Sequence, residues 1–221
     1  MIKRILEPEV MDTPEEACSY DEMDHGEVNR LFVDDYLSAV PSGIQDVLDL
    51  GTGTARIPIE MCRRIDDIRI MAIDLSLHML DVAKINIEIA GMTERIKLDV
   101  ADSKELLFDA DFFDAVVSNS IIHHIPSPAI AFREAVRVTR SQGFLFFRDL
   151  TRPDSIEQVD QLVDTYARNE NDDARQMFYN SLCAALSIDE VRDLVKDLGF
   201  HPDTVAATSD RHWTWAAQNI A

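Results

Sequence analysis

Short apolar runs, each closed by polar residues or glycine, punctuate the middle of the chain. Asp46-Val47-Leu48-Asp49-Leu50 stops at Gly51 and reads as a buried strand. Arg69 to Asp74, Ile96 to Val100, Phe113 to Ser118 and Gly143 to Arg148 repeat the pattern. Helical signals fill the gaps. Residues 54–65 predict one helix, with Pro58 tolerable only in its first turn. Ser76 caps a second, which runs to Ala90 and ends at Gly91. Residues 128–140 predict a third. Two further strands are expected over 204–207 and 212–217. Strand and helix in alternation predict an α/β fold: a doubly wound, mostly parallel seven-stranded sheet with helices on both faces. Right-handed crossovers then bring the strand C-terminal ends to one edge, where ligands bind.

The two ends of the chain break this rhythm. Residues 13–39 read as helical, with Thr13 as cap, Pro14 at the first helical position and Glu16 completing a capping box. Pro41, Ser42 and Gly43 then interrupt the chain. From Asp154 to Phe200 two or three helices follow one another with no strand between them. The last begins at the box Ser187-Ile188-Asp189-Glu190 and stops at Gly199. The pattern predicts a helical N-terminal lid over 1–44 and a core over 45–221. A helical insert of about 152–186 precedes the last two strands.

Composition narrows the function. The chain has 221 residues, 46% hydrophobic and 28% charged, which suits one globular domain. No apolar run approaches the ~18 residues a membrane span needs. The opening MIKRILEPEVMD lacks the apolar stretch of a secretory signal. Cys18, Cys62 and Cys183 are odd in number and far apart. They fit reduced, mostly packed thiols and a cytoplasmic address. The net charge is −20, and Arg30 is the one Lys or Arg among thirteen Asp and Glu between Ile5 and Ala55. Such a field repels nucleic acid and anionic membranes, which bind Lys and Arg. A neutral or cationic small molecule fits better. Oligomeric state is left as monomer or homodimer.

The chemistry lies in Val47 to Arg56, where a strand enters a glycine-rich turn that opens a helix. Gly51 and Gly53 allow a sharp bend and close approach of a ligand. The helix N-terminus offers N–H groups to a carboxylate or phosphate. Asp74 ends the next strand, 21 residues after Gly53, where an acid commonly holds ribose hydroxyls. A dinucleotide would want glycine or alanine at position 56, which is Arg. S-adenosylmethionine (SAM) carries no phosphate and needs only the turn and the acid.

Four segments together resemble the class I SAM-dependent methyltransferases of the small-molecule type, whose fold is Rossmann-like. Asp49-Leu50-Gly51-Thr52-Gly53-Thr54-Ala55 resembles the first family motif, with Ala55 for its last glycine. Ala72 to Ser76 with Met79 resembles the ribose-binding strand end. Val100-Ala101-Asp102-Ser103 resembles the adenine-binding segment, although Asp99 competes with Asp102 for that role. Phe112 to Ile125 resembles the segment beside the methionine end of SAM. The resemblance covers about 45–150. It implies SAM as cofactor, held by Asp49, Gly51, Thr52, Gly53, Asp74, Leu75, Met79, Asp102, Ser103 and Asn119. It implies methyl transfer to a small-molecule acceptor.

Methyl transfer is an in-line displacement, so the enzyme's main task is to hold a nucleophile about 3 Å from the methyl. A base is needed only for a protonated acceptor. His123 and His124 after the fourth strand and Arg148 at the end of the fifth are the catalytic candidates. Tyr20, Asp24, His25, Tyr179 and Arg211 are candidates for the acceptor pocket. His123 and His124 have no metal-type partner by spacing, and no metal is expected. Three rivals stand beside this reading. The fold could form carboxy-SAM, with Arg148, Arg175 or Arg211 gripping the added carboxylate. It could be a non-catalytic SAM-binding regulatory module, or an NAD-type oxidoreductase.

Overall fold

The computed structural model describes residues 1–7, 13–23 and 26–220. Helices α1 (Pro14–Glu22) and α2 (Gly26–Ala39) open the chain. There follow β1 (Asp46–Leu50), α3 (Arg56–Arg64), β2 (Arg69–Asp74), α4 (Leu77–Ala90), β3 (Ile96–Val100) and β4 (Phe113–Asn119). A short 3-10 turn, Ile122–His124, leads to α5 (Pro128–Val138) and β5 (Thr139–Leu150). Three consecutive helices come next: α6 (Ile156–Tyr166), α7 (Asp172–Ala184) and α8 (Ile188–Asp197). β6 (Val205–Ala207) and β7 (His212–Gln218) close the chain.

The seven strands form one sheet in the order β3-β2-β1-β4-β5-β7-β6. β1 runs parallel to β2 and β4, β2 runs parallel to β3, and β6 and β7 pair antiparallel. The expected seven-stranded, doubly wound architecture is therefore present. Strand order reverses on either side of β1, and such a switch point opens a crevice at the strand C-terminal ends.

The chain divides into two units. One comprises residues 10–119, 130–147 and 216–221. Its core gathers Val47, Ile70, Ala72, Ile96, Ala115 and Val117 from the strands, with Met61, Cys62, Ala83 and Ile87 from α3 and α4. Phe32 and Tyr36 of α2 lie edge-on against Phe146, with centroids 5.2 and 5.6 Å apart. A fully buried side chain of this size contributes about 1.5–3 kcal/mol, which fixes α2 to the sheet. Asp114 ties the start of β1: its Oδ2 accepts from the Gln45 and Asp46 N–H groups at 3.0 and 2.9 Å, and its Oδ1 pairs with Arg140. Burial opposes the Asp114 charge, but these donors prevail and hold its carboxyl below its ordinary range.

The other unit comprises residues 1–9, 120–129 and 148–215. Leu150, Val159, Val163, Ala167, Leu182, Cys183 and Ala185 form its small core. Both expected capping boxes are formed, Thr13 with Glu16 in the first unit and Ser187 with Glu190 in this one.

The fifth strand, expected over Gly143 to Arg148, runs from Thr139 to Leu150, and two helices also differ from expectation. The helix expected over 13–39 is two helices, because Met23 takes an extended conformation (φ −67°, ψ 139°) and a new helix begins at Gly26. The helix expected to reach residue 140 ends at Val138. The Thr139 hydroxyl donates back to the Ala135 carbonyl at 2.7 Å, and the Asn219 amide donates to the carbonyls of Val136 and Thr139. These donors satisfy end carbonyls and release Thr139 into β5.

Candidate functional site

Register brings three chemistry-bearing segments of the first unit to one edge. Leu50 pairs with Ile73, and Asp74 pairs with Val100. The residues that follow β1 and β3 thus flank the end of β2. The turn after β1 takes left-handed backbone at Gly51 (φ 68°), Gly53 (φ 55°) and Ala55 (φ 61°). The Thr52 N–H reaches the Ile73 carbonyl at 2.9 Å, and the Gly53 N–H reaches Asp74 Oδ2 at 2.8 Å. Asp74 Oδ1 accepts from the Ser76 N–H at 2.9 Å, and Ser76 Oγ caps α4 by accepting from the Met79 N–H. One carboxylate therefore joins the glycine turn to the start of α4. Burial pushes the Asp74 carboxyl up, against the Ser76, Gly53 and Leu75 N–H groups. Three donors leave part of its acceptor capacity for a ribose hydroxyl.

Asp49 is buried at the end of β1 beside Thr52. Burial raises its pKa to about 7, and Asp74 adds to the effect. Met79 is buried, and Leu75 is 41% exposed. Asp102 accepts from the Lys104 N–H at 2.8 Å and pairs with its ammonium at 3.0 Å. Asp102 and Ser103 are half-buried just past β3, whereas Asp99 is exposed on the strand. This difference favours Asp102 over Asp99. Asn119 is half-buried at the end of β4, where the preceding Ser118 hydroxyl donates to the Leu50 carbonyl.

Helix α1 covers the glycine turn. A Cβ at Gly53 would lie 3.9 Å from the Tyr20 ring. Burial raises the Tyr20 phenol pKa, and Asp74 and Asp21 raise it further. Asp21 holds the Arg56 guanidinium through both oxygens, at 2.9 and 2.6 Å, and accepts from the Asn86 amide at 3.0 Å. Asn86 also donates to the Thr54 carbonyl at 3.0 Å. Arg56, the residue standing where a dinucleotide fold wants a small one, is thus a fastening for α1. Sequence reasoning missed Asp21 and Asn86; no local pattern marks them. Asp24 and His25 lie outside the described residues.

The second unit contains a polar centre. Asp149 accepts at Oδ1 from His123 Nδ1 at 2.5 Å and from the Leu150 N–H. Its Oδ2 accepts from the N–H groups of Ile122 and His123 at 2.6 and 3.2 Å. His123 Nε2 faces Glu7 Oε1 at 3.5 Å, and His124 Nδ1 stands 3.4 Å from the same oxygen. Ser181 Oγ donates to Glu7 Oε1 at 2.9 Å. Arg4 donates to the carbonyls of Ala184, His123 and Ile125. Burial alone would lower the His123 pKa, but Asp149 and Glu7 override it and raise it. Burial opposes the Asp149 charge, yet His123 holds its carboxyl below the usual range.

The remaining candidates are engaged elsewhere. Arg148 is buried and donates to Thr214 Oγ1 at 3.1 Å. The Arg211 guanidinium lies 3.4 Å over the Tyr166 ring and pairs with Asp210. Tyr179 packs against the small core of its unit. No local sequence pattern marks the Asp149 partnership or Glu7.

The strand order, together with a glycine turn bonded to a strand-end acid, defines a doubly wound α/β fold with a ligand edge at its strand ends. Residues 48–147 match the family described as Methyltransferase domain. The ubiquinone/menaquinone biosynthesis C-methyltransferase UbiE of Vibrio cholerae is 26% identical over 194 residues, covering 85% of this chain and 71% of that one. The 27-O-demethylrifamycin SV methyltransferase of Amycolatopsis mediterranei is 27% identical over 178 residues, covering 79% and 61%. Among solved structures, a SAM-dependent methyltransferase from Aquifex aeolicus superposes with a TM-score of 0.68 at 15% identity, covering 93% of this chain and 97% of that one. Residues 48–147 are thus a methyltransferase domain, and the chain is similar to SAM-dependent methyltransferases over most of its length. Its cofactor is SAM, and it transfers a methyl group to a small-molecule acceptor.

Proposed function

We propose that the acceptor is a neutral or cationic small molecule, methylated at carbon or oxygen, with α1 and α2 serving as the cofactor lid. The relatives supply the choice of atom: one is named for C-methylation and another for a 27-O-demethyl substrate. The observation that carries the reading is Asp74, bonded to both Gly53 and Ser76 at the strand end, with acceptor capacity left for a ribose hydroxyl. Gly51, Thr52, Gly53 and Asp49 hold the amino-acid end of SAM. Asp102 and Ser103 hold the adenine, with Leu75, Met79 and Asn119 along the same edge. Tyr20, the acceptor-side candidate, stands over the glycine turn and so beside the proposed cofactor tail.

In-line displacement asks first for positioning, and for a base only where the acceptor is protonated. His123, His124 and Arg148 are proposed for the acceptor's chemistry on the family resemblance. The carboxy-SAM rival loses support because Arg175 bonds Asp164 and the Ala167 carbonyl and Arg211 stacks on Tyr166, which leaves it Arg148.

We place the protein in the cytoplasm as a monomer or homodimer, with no nucleic-acid or membrane partner. The acidic charge and three free cysteines support this. No described helix is long and apolar enough to cross a membrane. The test is incubation with SAM carrying a labelled methyl group and phenolic, quinol and amine acceptors. Label in an acceptor, with S-adenosylhomocysteine formed in equal amount, is expected. Tight SAM binding without turnover on any acceptor favours the regulatory rival.

A further inference from the structure

We infer that Glu7, His123 and His124 form a binding site for a divalent transition cation of the zinc class. This goes beyond the methyl-transfer reading and does not depend on it. Sequence spacing offered the two histidines no third ligand, and folding supplies it from the N-terminal segment. One ligand atom from each of Glu7, His123 and His124 lies within 4.8 Å of the other two. The carboxylate oxygen is 3.5 Å from one nitrogen and 3.4 Å from the other. Those separations exceed a good hydrogen bond. They match the edge of a coordination tetrahedron, whose ligands stand about 3.4 Å apart when each is about 2.1 Å from the ion. With the third side at its 4.8 Å limit, the point equidistant from the three atoms is about 2.4 Å from each, and a shorter side brings it closer.

The surroundings are those of a metal site. Asp149 accepts from His123 Nδ1 at 2.5 Å, which leaves Nε2 facing the Glu7 oxygen, where an ion would take the place of its proton. A carboxylate behind a ligating imidazole is the usual orienting partner of such sites. Ser181 fixes the Glu7 oxygen from the other side at 2.9 Å. His123 is buried, and Glu7 and His124 are half-buried, which leaves one side of the cluster open to solvent. Two nitrogens and one oxygen suit Zn(II), Co(II) or Ni(II) rather than Mg(II) or Ca(II), which prefer all-oxygen shells. Three protein ligands leave the fourth position for water or a ligand oxygen.

The test is titration of the chelator-stripped full chain with Co(II), followed by absorbance between about 500 and 650 nm, where four-coordinate cobalt absorbs strongly. One equivalent is expected to bind, and Zn(II) to displace it. Glu7→Gln and His124→Ala are expected to weaken binding by tenfold or more. Asp149→Asn, which touches no ion, is expected to weaken it 10–100-fold. S-adenosylhomocysteine affinity and thermal unfolding report whether each variant is folded. Its binding should be unchanged in Glu7→Gln and His124→Ala, so a failure of the cofactor reading is visible separately. Absence of the cobalt band, or a band equally strong in folded Glu7→Gln and His124→Ala, overturns the proposal.

Discussion

The Gly53 N–H and the Asp74 carboxylate meet at 2.8 Å, joining the turn after β1 to the end of β2. Gly53 sits at φ 55°, and a Cβ there would stand 3.9 Å from the Tyr20 ring. Gly53→Val is therefore expected to suffer twice. A β-branched residue in left-handed backbone costs about 1–2 kcal/mol of stability. Its side chain also pushes into the space under Tyr20 that the cofactor tail needs. Chemical denaturation and S-adenosylhomocysteine calorimetry measure the two losses. Unchanged nucleoside binding in a folded variant would refute this placement of the tail.

Asp21 and Arg56 fasten α1 over the same turn. Arg56→Lys keeps the charge but loses the two-pronged geometry. Arg56 is half exposed, so the effect on stability should stay below about 1 kcal/mol. Release of S-adenosylhomocysteine should quicken severalfold, because the lid opens more often. Stopped-flow displacement of a fluorescent analogue reads that rate.

The Asp49 carboxyl has its pKa raised to about 7 by burial. An unfolded aspartate titrates near 3.9, so between pH 4 and 7 the folded chain holds the extra proton. Stability from this group is full below the lower value and declines as pH rises through the higher one. Asp49→Asn removes that dependence. Its melting temperature relative to wild type should rise by a few degrees between pH 5 and 8. A constant difference across that range contradicts the assignment.

Asp149 accepts four hydrogen bonds in a buried position. Removing one partner of a buried charged pair costs about 3–5 kcal/mol. Asp149→Ala is expected to lose that much in urea unfolding, because the His123 ring and three N–H groups lose their acceptor. Ser187→Ala, which loses only a helix cap, should cost about 1 kcal/mol.

Local signals carried the fold. Ser76, Gly91, Ser187 and Gly199 mark helix ends by cap chemistry that acts over four residues, and each stands where expected. The glycine turn and Asp74 were legible for the same reason, since a strand–turn–helix unit writes its requirements in consecutive residues. The α1 fastening and the His123 centre were not legible. Asp21 lies 35 residues from Arg56, and Asp149 lies 26 from His123. Such pairs are made by tertiary packing between elements distant in sequence, and no periodicity records them. The break at Met23 was hidden because both sides of it carry helical composition.

Calorimetric titration of S-adenosylhomocysteine into wild type and Asp74→Asn tests the account most directly. Asparagine can keep one acceptor oxygen for the turn but loses the charge and half the lone pairs that the ribose would use. Wild type should bind one equivalent, and the variant should bind at least about tenfold more weakly, since a hydrogen bond to a charged group contributes roughly 1.5–3 kcal/mol. No heat with wild type, or equal affinity in the folded variant, contradicts the claim that Asp74 and the glycine turn hold this nucleoside.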